Sequence, residues 1–391
     1  MIAEPPLDAP DEEWLVWADA MQQIGDPRGE LIALAGHPTF DAYVKRHADS
    51  LLGRTIGRYL RKGDMRVSWR RARVAEVEVR IGNKSNGPQL LADLIDSPIA
   101  SQMRGIAIVG VPASEIRDRQ EGVLDLGTTL GWFREMAIPK TWTSLALIDD
   151  RARAVEYMIT RDFHPEPNLV VFGPLAGLWP AVSHLEELRI VVADTAQIQF
   201  ATIRLPELRS FTLHSLYWSD GLGQLLANAE WPKLAALDLR LVDDFTINNP
   251  DDAKAYRPVY RSERDERDPI DQSRPRERHD WEPELAPLFE SLEQLPLERL
   301  ALTSFYDAST IVGLLELYEL RRLVELDLSD SALDDEQAAR LAANPLLLQL
   351  RTLVVERVTA HSAKAFASLG ATVVHSFARN RPTYRYVVGW E

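Results

Sequence analysis

The sequence predicts an α/β protein in which short parallel strands alternate with helical return segments, led by a small α-helical N-terminal module. Three observations predict this. A strand-like phrase with two apolar residues separated by one recurs at a near-constant spacing. The segments between the phrases carry helix signals. The first forty residues place apolar residues at helical spacing instead.

Composition sets the bounds. The chain has 391 residues, 46% apolar and 26% charged, with a net charge of −15. That length suits two domains or one elongated repeat array. There is no cysteine, which excludes disulfide staples, thiolate zinc sites, iron–sulfur clusters and a cysteine nucleophile. No apolar run approaches the roughly 20 residues needed to cross a bilayer. The opening MIAEPPLDAPDEEW is acidic and lacks an apolar signal core. The expectation is a cytoplasmic protein with no membrane partner.

The elements follow in order. Glu12 to Ile24 places Trp14, Leu15, Trp17, Ala18, Met21 and Ile24 on a helical stripe. Gly25 ends that helix by accepting a left-handed conformation. Asp26 caps a second helix, Pro27 takes its first position, and Glu30 suits its positive end. This helix carries Leu31, Ile32 and Leu34 and stops near Gly36 and Pro38. Asp41 to Leu60 reads as helix again, with breaks at Gly53 and Gly57.

From Arg54 to Arg80 nine basic residues stand against three acids, so this stretch carries +6 and the remainder −21. Tyr59 and Trp69 lie among the arginines, as aromatics do on RNA-binding surfaces. The plainer reading is a basic end piece set against an acidic body. The overall charge disfavours nucleic acid and anionic lipid, because both depend on neutralising phosphates.

The strand phrase begins after residue 70. Its clear copies are LEELRIVV at 185–192, LPELRSFTLHS at 205–215, WPKLAALDLRLV at 231–242, LERLALTSF at 297–305, LVELDLSDSALDD at 323–335 and LRTLVVERV at 350–358. Their anchors, Leu188, Phe211, Leu237, Leu300, Leu326 and Leu353, are separated by 23, 26, 63, 26 and 27 residues. Fainter copies are Val74-x-x-Val77-x-Val79, Met103-x-x-Ile106-x-Ile108 and Trp142-x-x-Leu145-x-Leu147; Leu169 and Val171 suggest another. This period and its L-x-x-L-x-L grammar are the leucine-rich-repeat signature, which predicts a solenoid. One unit cannot bury its own apolar face; stacked units bury a continuous core and line up their strands on a concave side. The returns GLGQLLANAEWP at 221–232, DDEQAARLAANP at 334–345 and SAKAFASLG at 362–370 read as helices.

The wide gap marks an insertion at about 242–284, rich in mixed charge and proline. It holds too little apolar surface to form its own core. It reads as an excursion from the array or as a partner-contacting loop. FARNRPTYRYVVGWE at 377–391 alternates Tyr384, Tyr386 and Val388 and reads as a capping strand. The organisation is thus a helical module over 1–70 and an array over 71–391.

WLVWADAMQQIGDPRGELIAL at 14–34 resembles the repeat-companion domain, an N-terminal module of bacterial leucine-rich-repeat proteins. Leu15, Ala18, Asp19 and the run Gly25-Asp26-Pro27-Arg28-Gly29-Glu30 carry the resemblance, while Ala20 replaces a tryptophan of the family pattern. Trp69-Arg70-Arg71-Ala72-Arg73 resembles a second feature of that family, altered at its last two positions. LDLSDSALDDEQAARLAANPLLLQLRTL at 326–353 is similar to the family's repeats, with Ser331 where asparagine is usual. The resemblance implies a companion to repeats with no established activity.

Catalytic signatures are lacking. His37, His47, His164, His184, His214, His279, His361 and His375 form no HxxxH or HxH pair. There is no GxGxxG, Walker or GxSxG motif. His214 and Ser215 are strand neighbours and point to opposite faces. The 25–30 run suits a capped helix corner, fixed by an Asp19–Arg28 ion pair, or else a phosphate-binding turn aided by Arg28. The expectation is a non-enzymatic scaffold without cofactor or metal that binds another protein. Alternatives are an enzyme or regulator acting through the N-terminal module or the insertion, and nucleic-acid binding through 54–80.

Residues flanking the inward leucines should project from the concave face: Arg189, Thr212, His214, Asp238, Arg240, Arg299, Thr303, Glu325, Asp327 and Glu356. Their mixed signs suit a protein partner better than a polyanion. Tyr217 and Tyr306 each lie six residues past their anchors, just beyond the strand, with Trp218 beside the first. They read as rim aromatics that either anchor a partner or shield the sheet beside the insertion.

Overall fold

The computed structural model describes residues 3–111, 124–150, 152, 170–241, 281–303, 308–329, 333–355, 359–369 and 371–375. Four helices open the chain: α1 (Asp11–Gln23), α2 (Pro27–Ala33), α3 (Phe40–Leu52) and α4 (Arg54–Lys62). Trp14, Trp17, Ala18 and Met21 form the buried face of α1 and pack with Ala9, Ile32 and Ala72. Leu15 and Ile24, expected on that stripe, are exposed instead. At 100° per residue, Leu15 is turned well away from the line through Trp14, Trp17 and Met21.

The α1–α2 corner explains the 25–30 run residue by residue. Gly25 has φ 75°, a conformation that suits glycine. The Asp26 carboxylate caps α2 by accepting from the Arg28 N–H at 2.9 Å, and Pro27 takes the first turn. At Gly29 a Cβ would stand 2.4 Å from the Ala18 carbonyl oxygen, so only glycine lets the two helices approach this closely. Further on, Gly53 breaks the chain between α3 and α4 with φ 83°. Gly57 lies inside α4 and is not a break. Its missing side chain makes room for Ala48, whose carbonyl carbon would be 2.9 Å from a Cβ there.

The strands are β1 (Met65–Arg70), β2 (Arg73–Ile81), β3 (Gly105–Gly110), β4 (Leu124–Asp125), β5 (Ser144–Asp149), β6 (Val170–Val171), β7 (Gly173–Pro174), β8 (Glu187–Asp194), β9 (Ile198–Gln199), β10 (Ser210–Tyr217), β11 (Ala236–Leu241), β12 (Arg299–Thr303), β13 (Glu325–Leu328), β14 (Thr352–Val355) and β15 (Thr372–His375). An 11-stranded sheet runs β1-β2-β3-β5-β8-β10-β11-β12-β13-β14-β15. From β2 onward neighbours are parallel and follow chain order; β1 is antiparallel to β2. The chain is therefore mixed α/β with one large parallel sheet. Residue 70, the expected end of a helical module, is the last residue of β1 in this hairpin. The core is continuous across it, from Leu31 and Ala48 through Val77 to Leu369. Of Leu169 and Val171, which suggested a further copy, Leu169 lies outside the described residues and Val171 belongs to β6, which pairs with β4 in a small separate sheet.

The register ties the sequence period to packing. Val77, Ile106, Leu145, Leu188, Phe211, Leu237, Leu300, Leu326, Leu353 and Val373 are consecutive partners across the sheet. All six sequence anchors lie in this row, and each is at most 1% exposed. Helices fill the returns, among them α5 (Gly87–Ile95), α6 (Gly127–Phe133), Leu222–Ala227, Glu282–Leu292, Ser309–Leu317, Asp335–Ala343 and Ala360–Phe366. Asp335–Ala343 has a capping box between Asp334 and Gln337.

Hydrogen bonds stitch one unit to the next. The Glu186 carbonyl accepts from the N–H groups of Arg209 and Ser210, and the Arg209 carbonyl from Ala235 and Ala236. Ala235, Glu298 and Val324 repeat this double acceptance. Side chains add to it: Asn344 Nδ2 donates to the Leu315 carbonyl at 2.7 Å, and Trp142 Nε1 to the Ala100 carbonyl at 2.7 Å. Among the described residues, no helix is long and apolar enough to cross a membrane.

Candidate functional site

Alternation along each strand sends the residues between the anchors to the other face of the sheet. One row on that face reads Glu76, Gly105, Ser144, Glu187, Ser210, Ala236, Arg299, Glu325 and Thr352. The next reads Glu78, Ala107, Ala146, Arg189, Thr212, Asp238, Ala301, Asp327 and Val354. The third runs Arg80, Val109, Ile148, Val191, His214, Arg240 and Thr303.

This face is not uniformly polar. Over β3, β5 and β8 it carries a buried apolar cluster of Ala107, Val109, Ile148, Val191 and Ala193. The polar face expected from the strand residues off the anchor row is therefore interrupted across these three adjacent strands. The charged half begins at Arg189 and runs toward β13.

Its centre is a His–Asp pair. His214 Nε2 lies 3.0 Å from Asp238 Oδ1. The two are diagonal neighbours, since His214 sits opposite Arg240 and Asp238 opposite Thr212. Burial by itself would raise the Asp238 pKa. The charge and hydrogen bond of His214, then the charges of Arg299 and Arg189, outweigh this and hold it below the usual carboxylate value. Nearby, Arg299 Nε is 3.1 Å from Glu325 Oε1, an ion pair between residues directly opposite in register. On β2, burial is the main cause that raises the Glu76 pKa, and the Glu187 charge adds to it against Arg189 and Arg104.

The expected contact residues divide into two groups. Arg189, Thr212, Asp238, Thr303 and Glu325 are half-buried and Arg299 is exposed, so all six can meet a partner. His214, Arg240 and Asp327 are only 6%, 7% and 6% exposed, which corrects the expectation that they project. Asp327 is covered on that face and accepts from the Ser329 N–H at 2.9 Å. Glu356 and Tyr306 lie outside the described residues. Tyr217 is the last residue of β10, paired with Asp194, not a residue beyond the strand. Trp218 is half-buried, packs on the core and meets the Trp281 ring edge-on at 6.1 Å. It braces the start of the Glu282–Leu292 return more than it offers a rim. Ser215 Oγ lies 3.5 Å from the Ala193 carbonyl, on the side away from His214, so the two form no nucleophile–base pair.

Elsewhere, the basic segment is largely neutralised within the fold. Arg61 pairs with Asp49, Arg66 with Glu78, Arg71 with Asp11, Arg73 with Glu4, and Arg80 with Glu78 and Asp150. Tyr59 donates to Asp93 at 2.6 Å, and both Tyr59 and Trp69 pack against the core. Asp19 is exposed, and Arg28 pairs with Asp26 and Glu4 in place of the expected Asp19. Among the described residues, no group of three or more His, Cys, Asp or Glu side chains could hold a metal ion.

No protein-family model and no curated protein matches this chain. Several solved structures are similar to it, two of them as follows. A Bacteroides fragilis protein shares 16% identity at a TM-score of 0.51, covering 73% of this chain and 69% of that one. An internalin of Listeria monocytogenes shares 12% identity at a TM-score of 0.25, covering 76% of this chain and 86% of that one. The first likeness shows a shared fold: mixed α/β, with the parallel sheet and the helices described above.

Proposed function

We propose that this chain is a leucine-rich-repeat solenoid, with an N-terminal module of the repeat-companion kind, that binds another protein through the outward face of its sheet and catalyses no reaction. The anchor row and the one-return-per-strand order support the repeat reading. The observation that carries the function is the half-face from β8 to β13. There Arg189, Thr212, Asp238, Arg299 and Glu325 stand in fixed register, accessible and mixed in sign. The sheet holds such side chains at set spacings, so little order is lost on docking. Alternating charge selects a complementary protein surface over a run of phosphates. Nucleic acid is the weaker reading, because five arginines of the 54–80 segment already pair with acids.

The test is capture from a nuclease-treated lysate of the source organism. Wild type is compared with a Thr212→Arg, Arg299→Ala double variant, two changes at accessible positions. A stoichiometric protein retained by wild type and reduced tenfold by the variant supports the sheet-face reading. Equal capture by both overturns it, and so does a partner captured only from a parallel lysate without nuclease.

A further inference from the structure

A second surface lies away from the sheet face. A cleft of about 700 Å³ is lined by Glu4, Ile24, Asp26, Arg28, Trp69 and Arg73, among others, where the first helices meet the β1–β2 hairpin. Its two arginines come from separate elements and reach one carboxylate. Arg73 Nε donates to Glu4 Oε1 at 2.5 Å, and Arg28 Nη1 reaches Glu4 Oε2 at 3.5 Å. Each carboxylate oxygen thus meets one guanidinium.

Arg28 is positioned independently of Glu4. Its Nε and Nη2 donate to the Asp26 carboxylate at 3.1 and 2.7 Å, and its guanidinium carbon lies 5.2 Å from the Trp17 ring centroid. Nη1 is left pointing to Glu4. A guanidinium held on two sides is a rigid fork, suited to a planar carboxylate. The Arg28 and Arg73 side chains are 41% and 37% exposed, so an acid can reach them from solvent.

The present occupant is peptide-like. Glu4 belongs to the irregular stretch before α1, where Pro5 and Ala9 are buried and the Pro6 carbonyl accepts from Trp14 Nε1 at 3.2 Å. Ile24 adds an apolar lip, 68% exposed. An inorganic anion would gain nothing from that lip, whereas residues flanking a glutamate would pack on it.

We propose that this cleft is a binding site for an acidic peptide of a partner protein, with Arg28 and Arg73 gripping a glutamate carboxylate, and that Glu4 is its internal occupant. With Glu4 in place, two arginines face two carboxylates. Withdrawing it leaves a positive charge that an incoming glutamate neutralises. The site does not depend on the sheet face.

The probe is a fluorescein-labelled, acetylated and amidated peptide of sequence AEPPLDAP, titrated into the full chain by fluorescence anisotropy. Glu4→Gln should bind it at least tenfold more tightly than wild type, because the internal competitor has lost its charge. Adding Arg28→Gln and Arg73→Gln should reverse the gain at least tenfold, and a peptide with Gln for Glu should bind no better than to wild type. Thermal melts check that each variant is folded; if the triple variant melts early, Glu4→Gln with Arg73→Gln alone takes its place. Equal affinity of wild type and Glu4→Gln would overturn the proposal. So would retention of binding without the arginines, or displacement by inorganic phosphate as effective as by unlabelled peptide.

Discussion

Gly29 shows how one atom sets the N-terminal corner. A Cβ there would fall 2.4 Å from the Ala18 oxygen and 2.7 Å from the Gln22 nitrogen, both backbone atoms that cannot swing aside. Gly29→Ala must push α2 off α1 and should destabilise by about 1–3 kcal/mol, as overpacking does, seen as a lower urea midpoint. Gly313→Ala is the control: a Cβ there meets nothing within 4 Å, so the change should be neutral or stabilising by up to ~1 kcal/mol. The Asp238 pair gives a pH test. Its folded pKa is depressed, so its contribution is present above the unfolded value, about 3.9, and is lost as pH falls through the folded one. The stability gap between wild type and Asp238→Asn should therefore be larger at pH 5 than at pH 3 in urea melts. Much of the corner is legible in sequence, because Gly25, Asp26 and Pro27 act on their own backbone. The partner of Arg28 is not, because Glu4 is brought in by the fold. The His214–Asp238 contact was hidden for a related reason: it appears only when the two strands are set in register.

Repeating elements are legible where each unit reuses the same local rule. The anchors could be aligned because every strand must turn a leucine-like side chain into the same core, and the structure places them in one row. Strand β1 was missed. Its burial does not alternate cleanly, and it is antiparallel, so the period does not include it. The apolar cluster over β3, β5 and β8 was missed too, since alternation names two faces but not what covers the second. Returns show how neighbouring units are locked. Buried Asn344 donates to the Leu315 carbonyl one unit away. Asn344→Ala leaves a buried acceptor unpaired and should cost about 1–3 kcal/mol, with faster amide exchange in Asp335–Ala343 than in Leu222–Ala227.

At the scale of the molecule, the sheet grows by adding each unit to the one before. Strand contacts are between neighbours in the sheet, while one core runs through all of them. Stability in such an array is the sum of unit terms and neighbour interfaces, so damage should spread outward from its origin. Leu237 tests this. It is fully buried, sits mid-array, and is flanked in its row by Phe211 and Leu300. Leu237→Ala should cost roughly 2–5 kcal/mol, the range for emptying a leucine site. Amide protection, followed by hydrogen exchange and mass spectrometry, should fall most in β10, β11 and β12 and least in β2 and β3. An equal fall in every strand would mean that the continuous core makes the chain one cooperative block. A graded fall would mean that the β8–β13 half-face can loosen while the N-terminal module and its arginine cleft stay folded. The two proposed surfaces could then be engaged separately.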